Sequence, residues 1–335
     1  MADGLIMTSR VRLARNIYRV EFPHRISNEQ GKELVKEVEA AFYSDAFREG
    51  DYSTLKLWET DKVTQTSCFE KHLISKNMIN NSSKGAVILS SDDNESIMIN
   101  EEDHIRIQCI QPGYNLEAAF RAANRIDDQL DKNLNFAFDE KYGYLTACPT
   151  NAGTGMRASV MMHLPFTAAD NRLEESLYAL SESGMAIRGI YGEGSKAFGN
   201  IYQISNQITL GTTEQDTIAG LKAVVNKIVM QETMARDSEY KKHKYEIQDR
   251  VGRALGTLKS AVLLTSSECL SLLSDVRLGV EMGIIKSVNT STVDALIMET
   301  QPATIQKQSK KRLAEKDRDL SRAKLVKRKI RNKGK

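Results

Sequence analysis

Apolar residues recur at two spacings along this 335-residue chain, and one spacing gives way to the other. From Ile97 onward, Ile97, Ile99, Ile105, Ile107 and Cys109 occupy odd positions, while Asn100, Glu102, His104, Arg106 and Gln108 occupy even ones. Alternation with period two predicts a strand, or a hairpin pivoting at Glu101 to Asp103, with Glu102 and Arg106 on one polar face. Ala86 to Ser90, the wider run Ser96 to Ile110, and Ile201 to Ser205 are the other strand signals. Helical spacing appears over Asn28 to Phe42, Asn115 to Leu130 and Leu173 to Glu182. Behind a candidate N-cap at Asn115, Leu116, Ala119, Phe120, Ala123, Ile126 and Leu130 form one apolar stripe. Thr212 and Gln215 predict a capping box opening a long helix to about Arg236. Beyond it strand signals fade, and a final basic helix spans about Lys310 to Ile330. The pattern predicts an α+β fold, an antiparallel sheet flanked by helices, followed by a small all-helical C-terminal domain. The expected division is 1–236 and 237–335.

Composition narrows the class. Four cysteines, Cys68, Cys109, Cys148 and Cys269, are widely spaced, so neither a disulfide framework nor a zinc site is expected. No signal segment and no apolar run of membrane-spanning length is found, which points to a cytoplasmic protein with no membrane partner. The net charge of +3 conceals an asymmetry: residues 310–335 carry +10, leaving −7 for the remainder. A basic tail of this kind keeps open a nucleic-acid-binding regulator as a second class of function.

Five segments carry candidate chemistry. In Asn100 to Gln108, NEEDHIRIQ, adjacent carboxylates stand beside Arg106; the alternatives are a solvated hairpin or half of a cation site. In SRVRLAR, Arg10 and Arg12 share a face if the chain is extended, a fork suited to phosphate oxygens. CPTNAGTGMR, Cys148 to Arg157, is a glycine loop beside an arginine; it is not GxxxxGK[ST]. IRGIYGEGSKAFG holds Arg188 and Glu193 among four glycines. His72 in FEKHLIS is a lone histidine. Jointly, five arginines and two carboxylates suit phosphoryl transfer to a nitrogen nucleophile. The arginines would neutralise phosphates, and the acids would orient and deprotonate a guanidinium, which is no nucleophile while protonated.

Through SRVR, NEEDHIR, CPTNAGTGMR, RG-x-x-GE and YQISNQITLGTTE, over residues 8 to 235, the chain resembles the phosphagen (guanidino) kinase family. The resemblance implies that ATP, with Mg2+ held mainly through its phosphates, is bound by Thr8, Ser9, Arg10, Val11 and Arg12, by His72 and Arg106, by Arg157, Ala158, Ser159, Val160 and Met161, and by Arg188, Gly189 and Gly192. It implies that Glu102 and Glu193 grip and deprotonate the guanidine and that Cys148 is the active-site cysteine, its thiolate favoured by nearby positive charge.

One departure matters. Small-molecule phosphagen kinases carry a helical domain before SRVR, whereas here SRVR begins at Ser9 and a helical region follows the catalytic part. That arrangement resembles the bacterial protein-arginine kinase branch, which also carries R-D-x-x-R-A, present here as Arg318 to Ala323. On a helix Arg318 and Arg322 are i,i+4 neighbours able to hold a phosphate, with Asp319 available to a guanidinium. The resemblance implies that Arg318, Asp319, Ser321 and Arg322 receive phosphoarginine. It further implies protein substrates with exposed arginines, including a stress-response repressor, an activator protein, a Clp-type unfoldase or protease, and a homo-oligomer. A kinase of free arginine or another small guanidine is the alternative within enzymes.

Overall fold

The computed structural model describes residues 4–44, 51–169, 184–189, 198–309 and 311–331. Leu173 to Glu182, Gly192 and Glu193 lie outside the described residues.

Ten strands are described: β1 (Ile6–Arg15), β2 (Tyr52–Lys56), β3 (Ala86–Ser90), β4 (Glu95–Ile99), β5 (Ile105–Pro112), β6 (Phe138–Asp139), β7 (Gly143–Tyr144), β8 (Met156–His163), β9 (Met185–Gly189) and β10 (Ile201–Asn206). Eight of them form one sheet in the order β2-β3-β4-β5-β1-β8-β10-β9, with every pairing antiparallel. The run Ser96 to Ile110 is thus two strands with a turn at the expected pivot. Asn100 takes a positive φ of 60° there, a conformation Asn tolerates better than most residues. Ile97, Ile99, Ile105, Ile107 and Cys109 are all fully buried.

Three helices cover that apolar face: α1 (Asn28–Tyr43), α4 (Leu116–Asp131) and α6 (Glu214–Lys242). Ser27 opens α1 through a capping box with Gln30. In α4 the predicted stripe Leu116, Ala119, Ala123, Ile126 and Leu130 packs on the sheet, although the Asn115 side chain does not cap the helix and donates to Pro112 O at 2.9 Å instead. The cap of α6 falls one residue beyond the expected pair: the Thr213 hydroxyl accepts the Asp216 N–H at 3.1 Å. The helix then runs past Arg236 to Lys242.

The second face of the sheet is apolar only at its ends. At one end Val87 and Met98 are covered by α2 (Lys62–Glu70) and α3 (Lys76–Asn80). At the other, Met7, Met161 and Ile201 join the core of the helices α7 (Lys244–Ser260), α8 (Ser266–Glu281), α9 (Thr290–Glu299), α10 (Pro302–Lys307) and α11 (Glu315–Arg331). The middle of this face is polar.

Two buried polar networks fasten the C-terminal helices. Glu70, at the end of α2, accepts from the Ala303 N–H at 2.8 Å and the Thr304 N–H at 2.7 Å, satisfying orphan amides at the start of α10. At the end of β8, Arg236 donates to Glu232 at 2.8 Å, to Glu281 at 2.6 Å and to the His163 carbonyl at 3.2 Å. Glu232 in turn accepts the Thr167 N–H and hydroxyl from α5 (Pro165–Ala169). Removing one member leaves a buried charge uncompensated. Arg236→Ala should therefore cost about 3–5 kcal/mol, and urea unfolding of the two proteins should show it as a lowered midpoint with little change in slope.

Candidate active site

Cross-strand register assembles the site. Paired residues share a face, so Arg12 stands beside Arg157 on one side and Gln108 on the other, and Ala14 beside Arg106. Arg188 stands opposite Gln203, which follows Met161 in the same row. Arg12, Arg106, Arg157 and Arg188 thus converge on a cavity of about 450 Å³, whose wall also contains Glu102, Cys148, Thr150, Asn151 and Gln207.

Arg106 has two acidic partners. It meets Glu102 at 3.1 Å and Glu101 at 2.8 Å. Glu101 is buried, accepts from the Ser75 hydroxyl at 2.6 Å and from the Glu102 N–H at 2.8 Å, and so positions both members of the pair. Glu102 itself reaches the cavity, its side chain 36% exposed. The next acid, Asp103, is fully buried and accepts from Asn16 at 2.8 Å and from the Ala147 N–H at 2.7 Å, tying the acidic turn to the Cys148 loop. His104 belongs to the scaffold. Its Nδ1 accepts the Ile17 N–H at 3.0 Å, so Nε2 carries the proton and donates to the Glu21 carbonyl at 2.7 Å; burial lowers its pKa.

Arg10, Arg12 and Arg157 have no such pairing among the described residues, and the buried Nε atoms of Arg12 and Arg157 have no hydrogen-bond partner there. Burial, followed by the neighbouring guanidinium groups, pulls Arg12 well below its ordinary pKa and lowers Arg157 in the same direction. Arg10 lies behind the cavity wall, donating to Gln203 at 2.5 Å and Ser159 at 3.3 Å, with burial as the first cause of a pKa near 10. Cations held this close, with no carboxylate paired to them among the described residues, form a site for a polyanion.

The glycines of CPTNAGTGMR serve packing. A Cβ on Gly153 would lie 2.2 Å from the Thr209 carbonyl oxygen and one on Gly155 2.6 Å from that of Ala14, and both residues have positive φ. The loop amides of Asn151, Ala152, Gly153 and Thr154 are already donated within the protein, so the anion is met by guanidinium groups more than by these amides. Cys148 lines the cavity, its Sγ 3.1 Å from the Thr150 hydroxyl.

The remaining expected site residues sit outside the cavity wall. Ser9 is buried and bridges the Gly113 carbonyl and the Asn115 N–H; Val11, Ala158 and Val160 are in the main core, and Met161 is in the C-terminal one. Thr8 and Gly189 are strand positions, opposite Met161 and Tyr202. His72 has a positive φ of 62°; its carbonyl accepts from Gln108, and burial, then Arg10, holds its ring pKa near 3, so it is neutral. In the RDLSRA segment Arg322 is buried and donates to the carbonyls of Thr300 and Leu264 and to Asp319 at 2.6 Å. The Ser321 hydroxyl is spent on Asp317 O, and Arg318 lines a separate cleft of about 640 Å³ with Asp61, Lys307 and Arg312. Sequence reasoning did not single out Glu101, Asn151 or Gln207. Period two places Glu101 on the apolar face, and a buried acid must have partners, which was the available signal.

Residues 33–235 match the family model described as ATP:guanido phosphotransferase, C-terminal catalytic domain, and residues 244–335 match that of the protein-arginine kinase McsB C-terminal domain. A protein-arginine kinase of Clostridium kluyveri is 56% identical over 327 residues, covering 98% of this chain and 95% of the relative. The chain belongs to the protein-arginine kinase family. A second such kinase, from Clostridium tetani, is 51% identical over 98% of this chain and 96% of its own. Among solved structures a lombricine kinase superposes with a TM-score of 0.61 at 25% identity, covering 70% of this chain and 68% of that one. The likeness places the protein-arginine kinase sheet and its flanking helices within the phosphagen-kinase fold.

Two outcomes test this electrostatic picture. Arg12→Met should abolish nucleotide binding yet raise the stability of the ligand-free protein, on the order of 1 kcal/mol, because it relieves an uncompensated buried cation; thermal melts with and without ATP check both halves. Arg157→Lys keeps charge but loses the planar fork, so turnover should fall steeply while the fold is retained. Wild-type steady-state rates in that variant would remove Arg157 from the phosphate site.

Proposed function

We propose that this protein transfers the γ-phosphoryl group of ATP to the guanidinium of arginine side chains in proteins. The observation that carries the reading is Glu102 against Arg106 at 3.1 Å, on the wall of a cavity where Arg12 and Arg157 have no acidic partner among the described residues, in a chain of the protein-arginine kinase family. The donor set is mostly guanidinium and amide, which suits phosphate oxygens better than a bare dication. Mg2+ would therefore enter on the nucleotide, offsetting charge on its phosphates.

Transfer breaks the bond between the γ-phosphorus and the β–γ bridging oxygen and forms a P–N bond to an arginine nitrogen. Arg12, Arg106, Arg157 and Arg188 would hold the phosphates and meet the charge that develops on them. Glu102 would orient the acceptor guanidinium and take its proton as the P–N bond forms, since nitrogen is nucleophilic only as that proton leaves. Glu193 is proposed as the second carboxylate by the resemblance. Cys148 is proposed to sit beside the acceptor.

The wider role is part of the same proposal: a stress-response kinase whose substrates include a repressor, with an activator protein, a Clp-type unfoldase downstream, a cytoplasmic location and a homo-oligomeric state. Phosphoarginine is proposed to bind at Arg318, with Asp319, Ser321 and Arg322 shaping the site. Because Asp319 already holds Arg322 at 2.6 Å, a ligand guanidinium must compete for it.

The direct experiment is incubation of an arginine-bearing bystander protein with MgATP, then mass spectrometry for acid-labile phosphate on arginine, beside a parallel incubation with free arginine. Product on the protein and not on the free amino acid is expected; the reverse result favours a small-guanidine kinase. Glu102→Gln should reduce transfer about 10²- to 10⁴-fold while ATP binding persists.

A further inference from the structure

Two surface segments beside the cavity carry grouped apolar side chains in solvent. Phe138, Tyr142 and Leu145 in the β6–β7 hairpin region and Ile208 and Leu210 just after β10 are each between 37% and 57% exposed. Exposed apolar residues scattered singly are ordinary, but several on adjoining segments mark a place where another molecule packs.

The two segments adjoin through backbone. The Tyr144 N–H donates to the Gly153 carbonyl at 2.8 Å, and the Thr154 N–H to the Thr209 carbonyl at 3.1 Å. The Thr209 hydroxyl donates to the carbonyls of Thr150 and Ala152, at 2.9 and 2.7 Å. A Cβ on Gly143 would lie 2.5 Å from the Gly153 carbonyl oxygen, so hairpin, glycine loop and the 207–210 segment stack with no side chain between them. Both segments run into the cavity wall. Leu145 precedes Cys148 by three residues, and Ile208 directly follows Gln207. Thr209 is buried beneath the loop while Ile208 and Leu210 on either side of it stand in solvent.

We propose that this ledge holds the apolar residues that flank the target arginine in an extended segment of a protein substrate. The proposal rests on the protein-arginine kinase reading: the arginine side chain enters the cavity, and the chain that bears it must cross the rim. Continuity with the cavity wall selects that occupant over a distant partner. A nucleic acid finds little here, since the hairpin tip carries Asp139 and Glu140 beside Lys141. Folded surfaces keep most of their large apolar side chains inside, whereas unfolded segments present them next to arginines. The ledge thus biases the kinase toward loosely folded substrates.

The test compares the full chain with Ile208→Ser/Leu210→Ser, and separately with Leu145→Ser, on two peptides. One peptide places arginine among Leu and Val, the other among Ser and Gly, and phosphoarginine is quantified by mass spectrometry. Wild type should show about tenfold lower KM for the apolar-flanked peptide at similar kcat, and each variant should raise that KM several-fold, up to about tenfold, leaving the polar-flanked peptide unchanged. Equal kcat/KM on both peptides in wild type overturns the ledge. So does a Leu145→Ser protein without a selective KM change, even if the double variant loses activity on both peptides by misfolding. If wild type phosphorylates neither peptide nor any protein, the kinase reading itself fails, a result distinct from a ledge without selectivity.

Discussion

Like charges crowded on one face of a sheet are the constraint on which the rest of this structure turns. Arg10, Arg12, Arg106, Arg157 and Arg188 arise from four different strands, and register alone brings them together. Among the described residues, Glu101 and Glu102 supply the acids that face them, and both are taken up by Arg106. Such an arrangement opposes folding and is held in place by what surrounds it. The opposite face supplies a large continuous core, and the two ends of the polar face are sealed by apolar clusters under α2–α3 and under the C-terminal helices. A polyanion is the natural complement of a site built this way, since its binding would relieve the repulsion among these guanidinium groups.

The acidic side of the cavity is positioned by one short turn. Glu101, Glu102 and Asp103 are adjacent in sequence yet do three different things: one anchors Arg106 from inside, one faces the cavity, and one holds the Cys148 loop by the Ala147 amide. His104 completes the turn by bonding to Ile17 and Glu21, so it keeps the hairpin fixed against the chain that leads out of β1. For the proposed role of Glu102, accepting a proton while orienting a cation, this rigid backing matters, because small displacements would weaken both.

The C-terminal helices grip the catalytic sheet at two separate places, through Glu70 at α10 and through the Arg236, Glu232 and Glu281 network at β8. Part of the basic charge at the chain's end is therefore structural. Arg322 is buried among backbone carbonyls, and Lys329 pairs with Glu299 at 2.5 Å. Helix α2 connects one of these grips to the His72 carbonyl that accepts from Gln108, the cross-strand neighbour of Arg12, so the helical region and the arginine side of the cavity share a short stretch of chain.

Alternation and helical spacing by themselves determined the strands between Ala86 and Ile110, the stripe of α4 and the α+β class, because each rests on the local repeat of the backbone. The identity of the chemistry was equally legible, since arginines and acids in those motifs have few other uses together. What only the tertiary structure decided is which of them meet. Glu101 and Asp103 fall on the buried side of the repeat, and nothing local reveals that Ser75 holds the first and Asn16 and Ala147 the second. The glycines of the Cys148 loop read as an anion cradle until the carbonyls of Ala14 and Thr209 are seen against them. Arg322 reads as an exposed helix residue until the carbonyls of Thr300 and Leu264, from two other segments, close around it. In each case the deciding contact comes from a distant part of the chain, and local periodicity carries no record of contacts across the fold.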